Sequence, residues 1–245
     1  MKVIGIIPAR FNSTRFPGKP LINIKGKTMI ERVYKGALKA NHLDDLIIAT
    51  DDKRIYDHAR DFGAKVVMTD TNLPSGTDRV WAAYSHLKLN YDLILNIQGD
   101  EPLIDASHID AVIEIFEKRK NAQIGTLAKI IDNKDEVSDP NKVKVVFNKD
   151  NKALYFSRSP IPFLKNNSTD ISYYKHIGIY GYKVSTLNKI ASLNHSTLEL
   201  TEELEQLRWL DNDLNIHLEI TNTETPSVDC PEDLENLLLH YESRL

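Results

Sequence analysis

Cysteine is almost absent from this chain: Cys230 is the single one in 245 residues. No intrachain disulfide can form, which points to a reducing compartment. A basic surplus is missing too, with 31 Lys+Arg against 35 Asp+Glu and a formal charge of −4. General nucleic-acid binders carry such a surplus, together with long basic stretches interleaved with aromatics, so that class is disfavoured. No apolar run approaches the ~20 residues of a membrane span. The N-terminal run "VIGII" is cut short by Pro8, too early for a signal sequence, and no small-residue cleavage site follows. We expect a soluble cytoplasmic protein with no membrane partner. The formal sequons beginning at Asn12, Asn166, Asn167 and Asn194 are then chance occurrences.

Familiar site signatures are also lacking. There is no G-x-G-x-x-G and no G-x-x-x-x-G-K-[ST]. The eight histidines form no H-x-x-x-H or H-x-H pair, which excludes a His-rich metal centre. No Ser/His or Cys/His nucleophile arrangement stands out, and Cys230 reads as structural.

What the chain does have is alternation. Short β-branched runs, "KVIGII", "LIIAT" (46–50), "KVVM" (65–68) and "LILNI" (93–97), are separated by segments of helical period. One helical face carries Met29, Ile30, Val33, Tyr34 and Ala37. A second carries Val80, Trp81, Tyr84 and Leu87, and a third Ile109, Val112, Ile113 and Phe116. This pattern predicts βαβ units and a mainly parallel, α/β sheet. Later, "VKVVFN", "ALYFS" and "KHIGIYGY" read as strands divided by turns and by the polar loop "LKNNSTDIS". They predict an antiparallel insertion at about 135–185 within a single domain spanning 1–245. Helical pattern resumes over 184–211, "IHLEI" follows as a strand, and Leu234, Leu237, Leu238 and Tyr241 line a C-terminal helix.

Open α/β sheets bind ligands beyond the carboxyl ends of their strands. All four early strands end in polar, chemically capable loops. The first loop, within "IIPARFNSTRFPGKP" (6–20), sets Arg10, Arg15 and Lys19 around Gly18, a cationic group suited to a triphosphate. A solvated basic loop is the plain alternative. "SGTDR" (75–79) places Gly76 for close backbone approach and Thr77 or Asp78 for capping a helix, with Arg79 one turn in. "QGDEP" (98–102) puts Asp100 directly after a buried strand, a position suited to Mg²⁺. Asp229 in "SVDCPEDLE" is its candidate partner; a helix cap before Pro231 is the alternative. His176, Gly178, Tyr180 and Tyr182 alternate on one strand face, which ordinary packing also explains.

In this order the blocks "IIPAR-x-x-STR-x-PGKPL", "SGTDR", "N-x-QGDEP", "VKVV", "ALYFSRSPIP", "KHIGIYGY", "LEQLR" and "VDCPEDLE" cover essentially the whole chain. The sequence resembles the CMP-Kdo synthetases, the 3-deoxy-manno-octulosonate cytidylyltransferases. That resemblance implies a Rossmann-like nucleotide-diphospho-sugar transferase sheet with a smaller dimerisation and sugar-binding region. It implies transfer of CMP from CTP to the anomeric 2-hydroxyl of Kdo for lipopolysaccharide biosynthesis, by a Mg²⁺-dependent homodimer. Residue by residue, it implies that Arg10, Arg15 and Lys19 hold the CTP phosphates, with backbone around Ala9 near the cytosine. Ser75 and Arg79 would help recognise the nucleotide, and Asp100 and Asp229 would bind Mg²⁺. Gln98, Arg158, His176, Tyr180, Glu205 and Gln206 would line the sugar pocket. Glu205 and Gln206 are helical neighbours whose side chains diverge by ~100°, while Glu202 and Glu203 also read as a solvated acidic face. Phosphoryl-type transfer needs positioning and charge stabilisation more than a protein nucleophile, in line with the missing nucleophile pattern. The alternatives are a cytidylyltransferase for 8-amino-Kdo or a sialic acid, and a non-catalytic nucleotide-binding regulator.

Overall fold

The computed structural model describes residues 1–13, 15–88, 90–166 and 171–245. Thr14 of the cationic loop and 167–170 of the polar loop, with the sequons that include them, lie outside the described residues. The described chain forms two compact units: Met1–Asp110 with Glu224–Leu245, and Ala111–Thr223. The antiparallel region expected at 135–185 falls inside the second.

In the first unit, β1 (Val3–Ala9) is buried along nearly its whole length, as its unbroken apolar sequence requires. A two-residue ribbon follows, β2 (Asn23–Ile24) against β3 (Lys27–Thr28). Helix α1 (Met29–Ala37) starts where the Thr28 hydroxyl accepts the Glu31 N–H, and it buries the five apolar residues of its expected face. Then come β4 (Asp45–Thr50), α2 (Lys53–Asp61), β5 (Val66–Met68), α3 (Gly76–His86) and β6 (Leu93–Asn96), and α4 (Ala106–Lys118) begins here and continues into the second unit. The strands run β6-β1-β4-β5, all parallel. Helix α2 lay outside the sequence expectation because it buries only Ile55 and Ala59, too thin a stripe to read as a period. On α3, Trp81 is half-exposed and stacks on Tyr84 at 6.0 Å, while Ala83 takes the buried position.

The second unit contains β7 (Ile124–Ile130), β8 (Lys144–Phe147), β9 (Ala153–Ser157) and β10 (Tyr174–Lys183), then α5 (Val184–Ile190), α6 (Thr197–Glu202), α7 (Gln206–Asp211) and β11 (Ile216–Thr221). Strand β7 was not anticipated, although it pairs antiparallel with β10 and parallel with β11. The expected antiparallel strands are present: β8 pairs antiparallel with β9 and with β10. The helical stretch 184–211 is three short helices, and Glu203 ends the second in a left-handed conformation at φ 51°. The chain then returns to the first unit, where α8 (Pro231–His240) packs Leu237 with Ile24, Met29, Leu103 and Val228.

The core of the second unit is aromatic. Trp209, 1% exposed, sets its ring edgewise to Tyr180 at 4.9 Å and to Tyr182 at 5.5 Å. Trp209→Ala is expected to lower stability by about 3–5 kcal/mol, read from urea unfolding of the purified chain. A loss under about 1 kcal/mol would mean that these rings are not the unit's core.

Candidate active site

Beyond the carboxyl end of β1 the chain folds back on itself around Phe11. The Phe11 carbonyl accepts the N–H groups of Ser13 at 3.0 Å and Gly18 at 2.9 Å. Gly18 adopts φ 73°, and a Cβ there would meet the Phe11 ring at 3.1 Å, so glycine is required on both grounds. The Arg54 guanidinium lies 3.3 Å from the centre of the same ring, held by a two-bond fork to Asp52, the cap of α2. This closed loop turns Lys19 inward, where its side chain is 12% exposed.

Two carboxylates far apart in the chain meet that lysine. Lys19 Nζ donates to Asp100 Oδ2 at 2.9 Å and to Asp229 Oδ1 at 3.0 Å. Burial alone would lower the Lys19 pKa, but the charges and hydrogen bonds of Asp100 and Asp229 outweigh it and hold the ammonium above its ordinary value. Arg15 Nη2 adds a more exposed contact to Asp229 at 3.3 Å. The backbone fixes the meeting: Val228 N–H donates to the Asp100 carbonyl at 2.9 Å. Gly99 lets the segment carrying Asp100 sit against the end of β1, since a Cβ there would fall 2.7 Å from the Pro8 carbonyl oxygen.

The capping alternative for Asp229 belongs to its neighbour. Asp233 accepts the N–H groups of Asp229 at 2.8 Å and Cys230 at 3.0 Å, and so caps α8 from within its first turn. The Asp229 carboxylate is left to face the cations. With Asp100 it offers two hard oxygen donors toward an open cavity, a set that suits Mg²⁺ completed by water and substrate oxygens. The Lys19 ammonium already marks the point where a cation is stabilised. Among the described residues, no group of three or more His, Cys, Asp or Glu converges as a self-sufficient metal cage.

A cavity of about 250 Å³ opens beside this cluster. Ala9, Arg10, Arg15, Lys19, Ser75, Arg79, Gln98, Asp100 and Asp229 all line it, so nine expected site residues share one place. Ser75 caps α3 by accepting the Asp78 N–H at 3.1 Å. Arg79 is not a free cation. Its side chain, 3% exposed, pairs with Asp51 at 2.7 Å and donates to Thr69 Oγ1 at 2.6 Å and to the Asp70 carbonyl at 3.2 Å. It braces the cavity wall, and removal of one partner from so buried a pair typically costs about 3–5 kcal/mol. Asp51 and Thr69 were legible only as polar strand ends; their pairing required the fold.

In the second unit, His176 lies 5.2 Å from both Tyr180 and Phe156, and Tyr180 stacks on Tyr182 at 5.9 Å. The shared face survives an irregularity between Ile177 and Tyr180, tied by Thr126, whose hydroxyl contacts the Ile177 carbonyl, the Ile179 carbonyl and His176 Nε2. Burial also raises the Tyr180 phenol. Arg158 donates to the Glu202, Pro140 and Glu203 carbonyls. Glu202 is no solvated acidic face: its carboxylate accepts from Ser157 Oγ at 2.6 Å and Arg158 N at 2.8 Å. Glu203 alone projects to solvent. Glu205 pairs with Arg208 at 2.8 Å, and Gln206 is buried at the start of α7.

Burial pushes the His176 imidazole down to about 3, so it is neutral in the folded chain. The unfolded chain, with an ordinary histidine near 6.5, binds the extra proton between those values. Stability is therefore expected to fall as pH drops from about 6.5 toward 3, by up to about 1.4 kcal/mol per pH unit for this one proton. Urea titrations across that range check it. His176→Phe should flatten the slope by about one proton, and an unchanged slope would show that His176 is already charged.

Known proteins share the sequence and fold of this chain. Residues 4–217 match the model of the family described as cytidylyltransferase. A 3-deoxy-manno-octulosonate cytidylyltransferase from Parabacteroides distasonis is 46% identical over 253 residues, covering all of both chains. An 8-amino-3,8-dideoxy-manno-octulosonate cytidylyltransferase from Shewanella frigidimarina is 48% identical over 236 residues, 96% of each chain. The solved structure of a CMP:2-keto-3-deoxy-manno-octonic acid synthetase complexed with CTP superposes with a TM-score of 0.94 at 38% identity, again over all of both chains.

Proposed function

Because the chain belongs to the cytidylyltransferase family, we propose that it transfers CMP from CTP to the anomeric 2-hydroxyl of Kdo, releasing pyrophosphate. The observation that carries this reading is the Lys19 ammonium held between Asp100 and Asp229 in the wall of a cationic cavity. Family membership supplies the nucleotide and the acceptor class; the cluster supplies the chemistry.

CTP and an acid sugar are both anionic, and their approach is opposed until cations offset the repulsion. Arg10, Arg15 and Lys19 bind the phosphates and stabilise the charge that collects on the departing pyrophosphate. The 2-hydroxyl oxygen bonds to the α-phosphorus as the bond from that phosphorus to the bridging oxygen breaks. The electron pair leaves with pyrophosphate and the hydroxyl proton passes to solvent. No covalent enzyme intermediate is needed. Asp100 and Asp229 would hold Mg²⁺, which would supply charge neutralisation at the α-phosphate and an easier deprotonation of the hydroxyl. Backbone near Ala9 contacts the cytosine, Ser75 the nucleotide, and Arg79 acts through Asp51 as a brace. Gln98, Arg158, His176, Tyr180, Glu205 and Gln206 orient the sugar. His176 does so as a neutral ring and is not the base.

Assembly as a homodimer through the second unit belongs to the same proposal. Phe163 is 85% exposed, Leu200 65% and Leu154 58%, apolar area that a second copy would cover. Among the described residues no helix is long and apolar enough to cross a membrane.

Purified protein with Mg²⁺, CTP and Kdo is expected to release pyrophosphate. No Mg²⁺-dependent release with any sugar acid would end the enzyme reading. Parallel reactions with 8-amino-Kdo and a sialic acid assign the acceptor, and a tenfold preference for either would displace Kdo. Asp100→Asn is expected to lower kcat by at least about 10²-fold with an unchanged circular dichroism spectrum. Near-normal turnover in that variant would remove Asp100 from the site.

A further inference from the structure

The first unit carries a second cationic cavity, of about 550 Å³, lined by residues that the transfer reaction does not use. We propose that it binds a soluble phosphate-bearing small molecule, with Lys27, Arg32, Lys39 and Arg244 as its cationic contacts. Five Lys or Arg side chains line it and no Asp or Glu does. Its volume lies within the range of small-molecule sites.

The cations differ in how they are held, and that difference makes this more than a basic surface. Arg32 is 8% exposed, with its guanidinium pinned by the Ile24 carbonyl at 2.6 and 2.8 Å and by the Leu245 main-chain oxygen at 3.0 Å. Arg244 is tethered to the Glu224 carbonyl at 3.0 Å and more loosely to the Leu103 carbonyl at 3.4 Å. Neither guanidinium is paired with a side-chain carboxylate among the described residues. Lys27 and Lys39 are exposed and likewise have no ion-pair partner among them. The fifth cation, Lys35, is already paired with Glu31 at 2.6 Å.

Nearby carboxylates form no ion pair with these four cations among the described residues. Glu242 pairs with Lys25, and buried Glu101 accepts from Thr225 Oγ1 at 3.0 Å. Asp105 accepts the Ser107 N–H at 2.9 Å and lies near enough to Arg244 to feel its charge. Arg32 also donates to the Lys25 carbonyl at 3.3 Å, so a single Nη1 hydrogen is left over on a guanidinium that is fixed in place; its charge, the Arg244 fork and the mobile Lys27 and Lys39 ammonium groups together match phosphate oxygens. The floor is apolar: Leu103 and Ile104 are 6% and 7% exposed. Gly36 lets α1 sit against that floor, because a Cβ there would fall 2.6 Å from Ile104 Cγ2.

The cavity is also connected to the Lys19 cluster through continuous chain. The segment from Gly99 and Asp100 runs on into Leu103 and Ile104, and α8 leads from Asp229 toward Arg244. Leu103, Val228 and Leu237 pack together between them. An occupant here would brace the two segments that present the carboxylates.

Equilibrium dialysis of the purified chain against labelled inorganic pyrophosphate, without divalent metal, tests the proposal. Two equivalents per chain are expected. Lys27→Glu combined with Lys39→Glu should weaken one of them at least tenfold while KM for CTP stays unchanged. Lys19→Met should remove the other equivalent. A single equivalent in the unaltered chain, or two that are indifferent to the Lys27/Lys39 reversal, would overturn it. Flotation with phosphatidylglycerol vesicles separates a lipid headgroup from a soluble ligand. Vesicle binding abolished by the same double variant, without pyrophosphate binding, would also overturn it.

Discussion

One ammonium between two carboxylates organises this molecule's chemistry. Lys19 comes from the loop after β1, Asp100 from the segment after β6 and Asp229 from the entry to α8, yet the Lys19 Nζ lies within 3.0 Å of an oxygen of each carboxylate. Two partly buried carboxylates facing each other repel unless a cation stands between them. The fold meets that requirement before any ligand arrives. The Val228–Asp100 backbone bond sets the spacing, the Asp233 cap frees Asp229 from a local role, and the Phe11–Gly18 closure aims Lys19. A divalent ion and a triphosphate entering this place would exchange one cation arrangement for another, with little rearrangement of the acidic pair.

The wall of the cavity depends on a second buried pair, Arg79 with Asp51. It joins α3 to the end of β4 and, through Thr69, to the loop after β5. Cationic character in the cavity therefore comes from Arg10, Arg15 and Lys19, while Arg79 contributes shape. Sequence position alone gives all four the same standing. Burial and partners separate them.

Much of this was legible from residues. Unbroken apolar runs marked β1, β4, β5 and β6, and polar residues after each marked the ligand-binding edge, because strand and loop chemistry there is local. Asp100 stood out as a carboxylate directly after a buried strand beside Gly99, and Asp229 was its candidate partner just before the last helix, ahead of Pro231. Less was legible where tertiary contact overrode pattern. Helix α2 has only two buried apolar residues, and β7 reads "IGTLAKI", whose small residues blur its period. Glu202 looked like one of several exposed acids and instead ties down Ser157 and Arg158. The second cationic cavity draws on Lys27, Arg32, Lys39 and Arg244, scattered along the chain, and no spacing rule could have gathered them.

The central claim is that Lys19, Asp100 and Asp229 form one coupled electrostatic unit. A double-mutant cycle on unfolding free energy, with Lys19→Met, Asp229→Asn and their combination, tests it most directly. The account predicts a favourable coupling of about 0.5–3 kcal/mol between the two sites, with the double variant less destabilised than the sum of the single ones. Additivity within about 0.5 kcal/mol would contradict it, and would leave the three residues as neighbours without a shared charge balance.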